Sequence, residues 1–332
     1  ARLQALAPPH GLLIAQATRR QLGGVFDLAP LAEVELKGFD APVAAWRVLA
    51  ETARADRFAA RHGGELGSMV GRAAETEALL ADWAEVRRGQ GRGVVLVGEA
   101  GIGKSRLLRR LRQAVAEGAS ETVCWQGSPF HGDSPLWPVA RELEARLDGG
   151  GAEALERLVG EAGLAPDQAV PPLAALLGLP AGSRHPPLPQ SAAVRRQRLL
   201  AALIELLRGI ARSRPLLLIL EDAHWADPTT LQLVRLLLAR IEEMPALLVV
   251  ASRPEGLPEL PERPMVRQLR LSRLDPAGIG AIVDAQGSLP AEVRHAIVDR
   301  ADGVPLFAEE LARAVAERKA DGGHLSGEMI GF

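Results

Sequence analysis

The chain has 332 residues, 47% of them apolar and 24% charged, enough to bury more than one core. Its formal charge of −2 excludes a global pull toward nucleic acid or an anionic membrane, and no apolar run is long enough to cross a bilayer. A single cysteine, Cys124, excludes an intrachain disulfide or a cysteine-built metal site and suits a reducing cytoplasm.

In chain order, GLLIA (11–15) predicts a short strand and ATRRQLG (17–23) a brief helix. EVELKG (33–38) alternates faces, GFDAP turns the chain, and VAAWRVL (43–49) returns as a second strand, making a hairpin. Residues 51–66 lack an apolar stripe and read as a linker. Leu79, Leu80, Trp83 and Val86 then fall at helical spacing within 72–89. VVLV (94–97) is a wholly apolar strand, followed by a helix with Leu107, Leu108, Leu111 and Val115 on one side. ETVCWQ (121–126) is a further strand. The Gly-, Pro- and Ala-rich stretch 148–190, with one helical piece at 152–159, reads as an insertion. Helix 192–211, strand LLLIL (216–220), helix 229–241 and strand ALLVVAS (246–252) follow. VRQLRL (266–271) alternates like an edge strand, and helices at 276–285, 290–300 and 305–318 close the pattern. Strands spaced by helices predict an α/β fold with a parallel sheet and right-handed crossovers.

GEAGIGKS (98–105) satisfies G-x-x-x-x-G-K-[ST] between a buried strand and a helix. Gly98, Gly101 and Gly103 let the backbone curl so that its amides face a phosphate, and the new helix adds its positive end. Lys104 would reach the β- and γ-phosphates and the Ser105 hydroxyl would ligate Mg²⁺. Lysine occurs only as Lys37, Lys104 and Lys319, so its placement here is telling. In LLLILEDAHWAD, Glu221 and Asp222 follow an apolar strand, at the end where open α/β sheets bind ligands. One carboxylate can hold Mg²⁺ and its neighbour can orient a water. Strand alternation leaves the assignment open; Glu221 for the metal and Asp222 for the water is the favoured order.

From Val70 to about Arg318 the chain resembles the signal-transduction ATPases with numerous domains, a branch of the AAA-like P-loop fold. VGRAAE (70–75) looks like that family's leading motif, whose backbone lies against the adenine, so Val70, Gly71 and Arg72 join the expected nucleotide site with Gly98, Gly101, Ile102, Gly103, Lys104, Ser105 and Arg106. LEDAHWAD matches its acidic strand end. SRPE offers Arg253 where the family senses the terminal phosphate, and GVPLFAEEL (303–311) resembles its Gly-x-Pro segment, with Pro305 packing on the nucleotide. A surface arginine and a first-turn helix proline are the plainer alternatives. His224 and Trp225 are either a packed ring pair or direct participants.

A second resemblance covers GLLIAQAT…FDLAPLAEVELKGFDAPVAAWRVL, which looks like the closing section of class III nucleotide cyclase domains, with Arg2 at the end of that family's asparagine-to-arginine helix. The asparagine and the metal-binding aspartates would precede Ala1. The start without methionine and the Gly-Phe finish read as those of a fragment, which by itself closes no nucleotide ring.

The expected organisation is therefore a cyclase-like remnant (1–50), the linker (51–66), a P-loop NTPase core (67–271), a helical lid subdomain (272–318) and an unassigned tail (319–332). The expected function is an ATP-hydrolysing regulatory switch using ATP/ADP and Mg²⁺, attached to an upstream cyclase domain, with self-association left open. An ATPase module of a multidomain transcription regulator is the alternative, although no basic recognition helix stands out.

Overall fold

The computed structural model describes residues 3–9, 11–22, 26–31, 42–51, 69–180, 185–189 and 191–320. The chain divides into two compact units, Ala1–Met69 and Val70–Phe332. Arg2, nearly all of the expected linker and residues 321–332 of the tail lie outside the described residues.

In the first unit, β1 (Leu12–Ala15), α1 (Gln16–Leu22), β2 (Phe26–Pro30) and β3 (Ala45–Glu51) form an antiparallel sheet of order β1-β3-β2. Ile14 and Ala45 are buried, and the Trp46 indole donates to Gln16 Oε1 at 2.8 Å. The Arg19 guanidinium lies 3.5 Å from the centre of the same ring. The second strand of the expected hairpin is present as β3; the first, at 33–38, lies outside the described residues. β2 was not expected, because FDLAP carries an aspartate and a terminal proline, residues that weaken a strand signature.

The second unit opens with α2 (Ala73–Arg87) and β4 (Arg92–Val97). Then come α3 (Lys104–Ala116), β5 (Glu121–Gln126), α4 (Trp137–Leu147), α5 (Gly151–Glu161) and α6 (Pro166–Leu176). α7 (Ala192–Ser213), β6 (Leu216–Glu221), α8 (Pro228–Ala239), β7 (Ala246–Ser252) and β8 (Val266–Arg270) complete the α/β core. The sheet has five strands in the order β5-β6-β7-β4-β8, every pairing parallel. All strand C-termini therefore share one edge, and β7 separates β4 from β6. From β4 the chain jumps across two strands to β5, steps back through β6 and β7, then passes over β4 to the edge strand β8. Such a reversal opens a crevice beyond the strand ends.

The inner strands β6, β7 and most of β4 are apolar because both faces are covered, whereas the edge strands β5 and β8 mix polar and apolar residues. Leu216, Leu218, Leu220, Leu248 and Val250 face a core shared with α4 to α8. α2 and α3 lie against the strands as well, α2 touching β4 and β7 and α3 touching β6. By alternation, the fully buried Leu217, Ile219, Leu247 and Val249 occupy the opposite face from Leu216 and Leu218.

The described helices of the stretch 148–190, read from the sequence as an insertion, contribute to the main core. Leu155 and Val159 of α5 and Val170 and Leu173 of α6 are fully buried in the main core. α6 escapes a sequence reading because Pro171 and Pro172 sit inside it, where proline normally breaks a helix. Pro166 occupies the favourable first position, and the two internal prolines are buried, so packing offsets the lost backbone bonds.

Three helices, α9 (Pro276–Asp284), α10 (Ala291–Ala301) and α11 (Pro305–Ala320), form a subdomain with its own core of Ile279, Ile282, Val283, Val293, Ile297, Ala301, Ala308 and Ala312.

Candidate functional site

Where β4 ends, the Gly98 amide donates to the Ser252 carbonyl at 3.2 Å, tying the loop to the end of β7. Gly103 has φ +104° and forms the N-cap of α3, a conformation that strains any residue with a Cβ. Gly101 serves a close approach: a Cβ there would stand 2.9 Å from Cβ of Leu306. Ile102 is 1% exposed and anchors the loop in the core. Lys104 folds back over its own loop, its ammonium donating to the Gly98 carbonyl at 2.6 Å and the Glu99 carbonyl at 2.8 Å. Burial lowers its pKa, opposed by the negative charges of Asp222, Glu221 and Glu255, while Arg253 adds to the lowering. Ser105 and Arg106 follow on the first turn of α3.

Glu221 is the last residue of β6, and Asp222 turns the chain away with φ 50° and ψ 45°, a left-handed conformation that aspartate tolerates better than most residues. Gly127 permits the turn, since a Cβ there would meet the Asp222 carbonyl oxygen at 2.2 Å. A single 3₁₀ turn (Ala223–Trp225) leads to Asp227, which is 2% exposed and caps α8 by accepting from the Thr229 and Thr230 amides, both at 2.9 Å.

Arg253 leaves the end of β7, the strand between Lys104's strand and that of the two acids. Its guanidinium lies 5.1 Å from the centre of the Trp225 ring, which itself touches the His224 ring at 4.6 Å between centroids. Trp225 is thus a platform for the arginine. Both His224 ring nitrogens are buried without a hydrogen-bond partner, and burial lowers the imidazole pKa. The charges acting on that ring, Asp222, Arg253, Lys104 and Glu255, are nearly those acting on Lys104. Lys104, Glu221, Asp222 and Arg253 therefore share one electrostatic neighbourhood at the C-terminal edge of the sheet.

The helical subdomain meets this loop directly. Pro305 is the first residue of α11, and the next amide, that of Leu306, donates to the Gly101 carbonyl at 3.2 Å. Glu309 is 7% exposed and pairs with Arg106. Arg273 bridges Glu99 of the loop, at 2.9 Å, to Asp302 at the end of α10. Val70 packs against the subdomain core, and Gly71 (φ +68°) lies against Leu274. The Arg72 side chain turns inward, bonding Glu75 and the carbonyls of Ile102 and Ser272.

Glu309, Arg273 and Glu99 escaped the sequence reading. Glu309 had a signal: it lies four residues beyond Pro305, hence on the same helix face. Arg273, one arginine after an edge strand, had none.

Ser105, Glu221 and Asp222 are hard oxygen donors, and no group of three or more His, Cys, Asp or Glu among the described residues makes a ready cation cage. That donor set fits Mg²⁺, which keeps waters and takes phosphate oxygens rather than an all-protein shell. No described helix is long and apolar enough to cross a membrane.

An uncharacterized protein of Rhizobium meliloti (strain 1021) is 32% identical over 328 residues, covering 96% of this chain and 32% of its own length. The chain thus spans about a third of that curated relative. Among solved structures, Drosophila ORC bound to DNA is similar with a TM-score of 0.47, 14% identity and coverage of 77% of this chain and 57% of that one. A signal-transduction ATPase with numerous domains from Pyrococcus horikoshii, carrying a tetratricopeptide repeat sensor, gives a TM-score of 0.38 at 18% identity over 74% of this chain and 30% of its own. The AAA ATPase domain family matches residues 68–250, more than half of the sequence, and with a five-stranded parallel sheet and a phosphate loop at the strand ends, the chain belongs to that family.

Proposed function

We propose that this AAA-type P-loop module binds and hydrolyses ATP as a regulatory switch of the signal-transduction ATPase type. The observation that carries the reading is the direct bond between phosphate loop and helical subdomain, the Leu306 amide on the Gly101 carbonyl. A loop that answers to a phosphate and also to α11 can pass the state of one to the other.

In this reading Lys104 exchanges the Gly98 and Glu99 carbonyls for β- and γ-phosphate oxygens. Gly101, Ile102 and Gly103 contribute loop amides, and Val70, Gly71 and Pro305 lie toward the base. Ser105 and Glu221 would hold Mg²⁺, which would supply positive charge against the phosphates. Asp222 orients the water and takes up its proton as the oxygen attacks the γ-phosphorus and the bond to the β-phosphate oxygen breaks, leaving ADP and phosphate. Arg253, swung from the Trp225 ring, meets charge on the terminal phosphate.

The finer proposals concern the rest of the protein. Attachment to a nucleotide cyclase rests on the resemblance of residues 11–49 to a cyclase closing section, and a place in a multidomain transcription regulator remains the alternative. Limited proteolysis tests the switch. Cleavage within 272–318 should differ between ADP and a non-hydrolysable ATP analogue, both with Mg²⁺; identical patterns with both nucleotides bound would contradict the reading.

A further inference from the structure

Arg72 is 4% exposed, and the roles proposed above make no use of its side chain. Its guanidinium gathers three separate stretches. Nη1 donates to Glu75 Oε1 at 3.0 Å, while Nη2 donates to the Ile102 carbonyl at 3.3 Å and the Ser272 carbonyl at 2.5 Å. A buried guanidinium is costly unless paired and hydrogen-bonded; here both Nη atoms are partnered, while Nε is buried without a partner.

The Ile102 carbonyl belongs to the peptide whose N–H is that of Gly103, the last loop residue before Lys104. A trans peptide is planar, so its C=O and N–H point to opposite sides. Holding the carbonyl on Arg72 turns the Gly103 amide the other way. Ser272, the second carbonyl, sits where the core passes into the helical subdomain. One residue before it, the Leu271 amide bonds the Val97 carbonyl at 2.8 Å; two residues after it, the Leu274 amide bonds the Gly303 carbonyl at 2.9 Å.

We propose that Arg72 is a positioning residue for the phosphate site: it fixes the plane of the Ile102–Gly103 peptide so that the Gly103 amide faces the phosphates, and it ties that plane to the root of the helical subdomain. This rests on the nucleotide reading and departs from the family resemblance, which implies an adenine-side role for the segment 70–75. A phosphate-side role acts on any ligand with linked phosphates, whether or not it carries a base.

The test is calorimetric titration of the purified chain with ADP and with inorganic pyrophosphate, each with Mg²⁺. Arg72→Met should weaken both by the same factor, about tenfold or more, the scale of one lost charge-assisted hydrogen bond. Arg72→Lys should recover part of the loss, since one ammonium reaches one carbonyl. Glu75→Gln should show a smaller loss in the same direction, and it decides the matter together with Arg72→Lys should Arg72→Met fail to fold. Unchanged pyrophosphate affinity in the folded variants, or a loss confined to ADP, overturns the proposal. An unaltered chain that binds neither ligand removes the nucleotide reading, and this inference falls with it.

Discussion

At the scale of single residues the site is a small set of charges whose positions follow from where strands end. The positions of Lys104, Glu221 and Asp222 were legible in the sequence because Lys104 follows β4 and the two acids lie together at the end of β6, each within a short motif. Their neighbours across the chain were not. Arg273 meets Glu99 across 174 positions and Arg106 meets Glu309 across 203, and nothing local announces such pairs. Asp222 carries the sharpest prediction on this scale. Asp222→Asn keeps the size of the side chain but removes its capacity to take a proton, so ATP turnover should fall about a hundredfold while ATP affinity changes little. Phosphate release and equilibrium binding measure the two quantities; turnover at the parental rate assigns the water to another group.

Among elements, helix periodicity and apolar runs carried most of the sequence reading, and packing carried the rest. α6 was illegible because its prolines argue locally against a helix, whereas its buried face argues for one only after α5 and α7 are in place. α8 depends on a buried cap. Asp227→Ala should cost about 1–2 kcal/mol, visible as a lower urea midpoint with an unchanged slope. Another element-level contact is sensitive to pH. His185 lies 3.0 Å from both Asp167 at the start of α6 and Glu156 on α5. These bonds, Asp167 first, raise its pKa above the usual 6.5. The folded state therefore holds the proton more tightly than the unfolded one. The added stability is complete below about pH 6.5 and is lost as pH rises through the raised value. Melting temperatures of the chain and of His185→Ala should converge as the medium turns alkaline. A gap between them independent of pH would contradict this.

For the whole molecule, the central feature is a phosphate loop that touches the helical subdomain through a backbone bond and two ion pairs. The α/β class and the parallel sheet were legible, but the strand order was not, because it depends on pairings between segments far apart in sequence. If the subdomain retains nucleotide, loosening it should speed release. Glu309→Gln leaves Arg106 without a charge partner in Glu309 and should accelerate ADP dissociation about tenfold, followed with a fluorescent ADP analogue. Arg273→Ala, at a more exposed pair, should change the rate by less. Unaltered dissociation in both variants would uncouple the subdomain from the loop. Titration of the nucleotide-stripped chain with ATP and Mg²⁺, beside Lys104→Ala, tests the core of the account most directly. One ATP should bind per chain and the variant should show no measurable binding; equal affinity in the two proteins would contradict the assignment of this loop as the phosphate site.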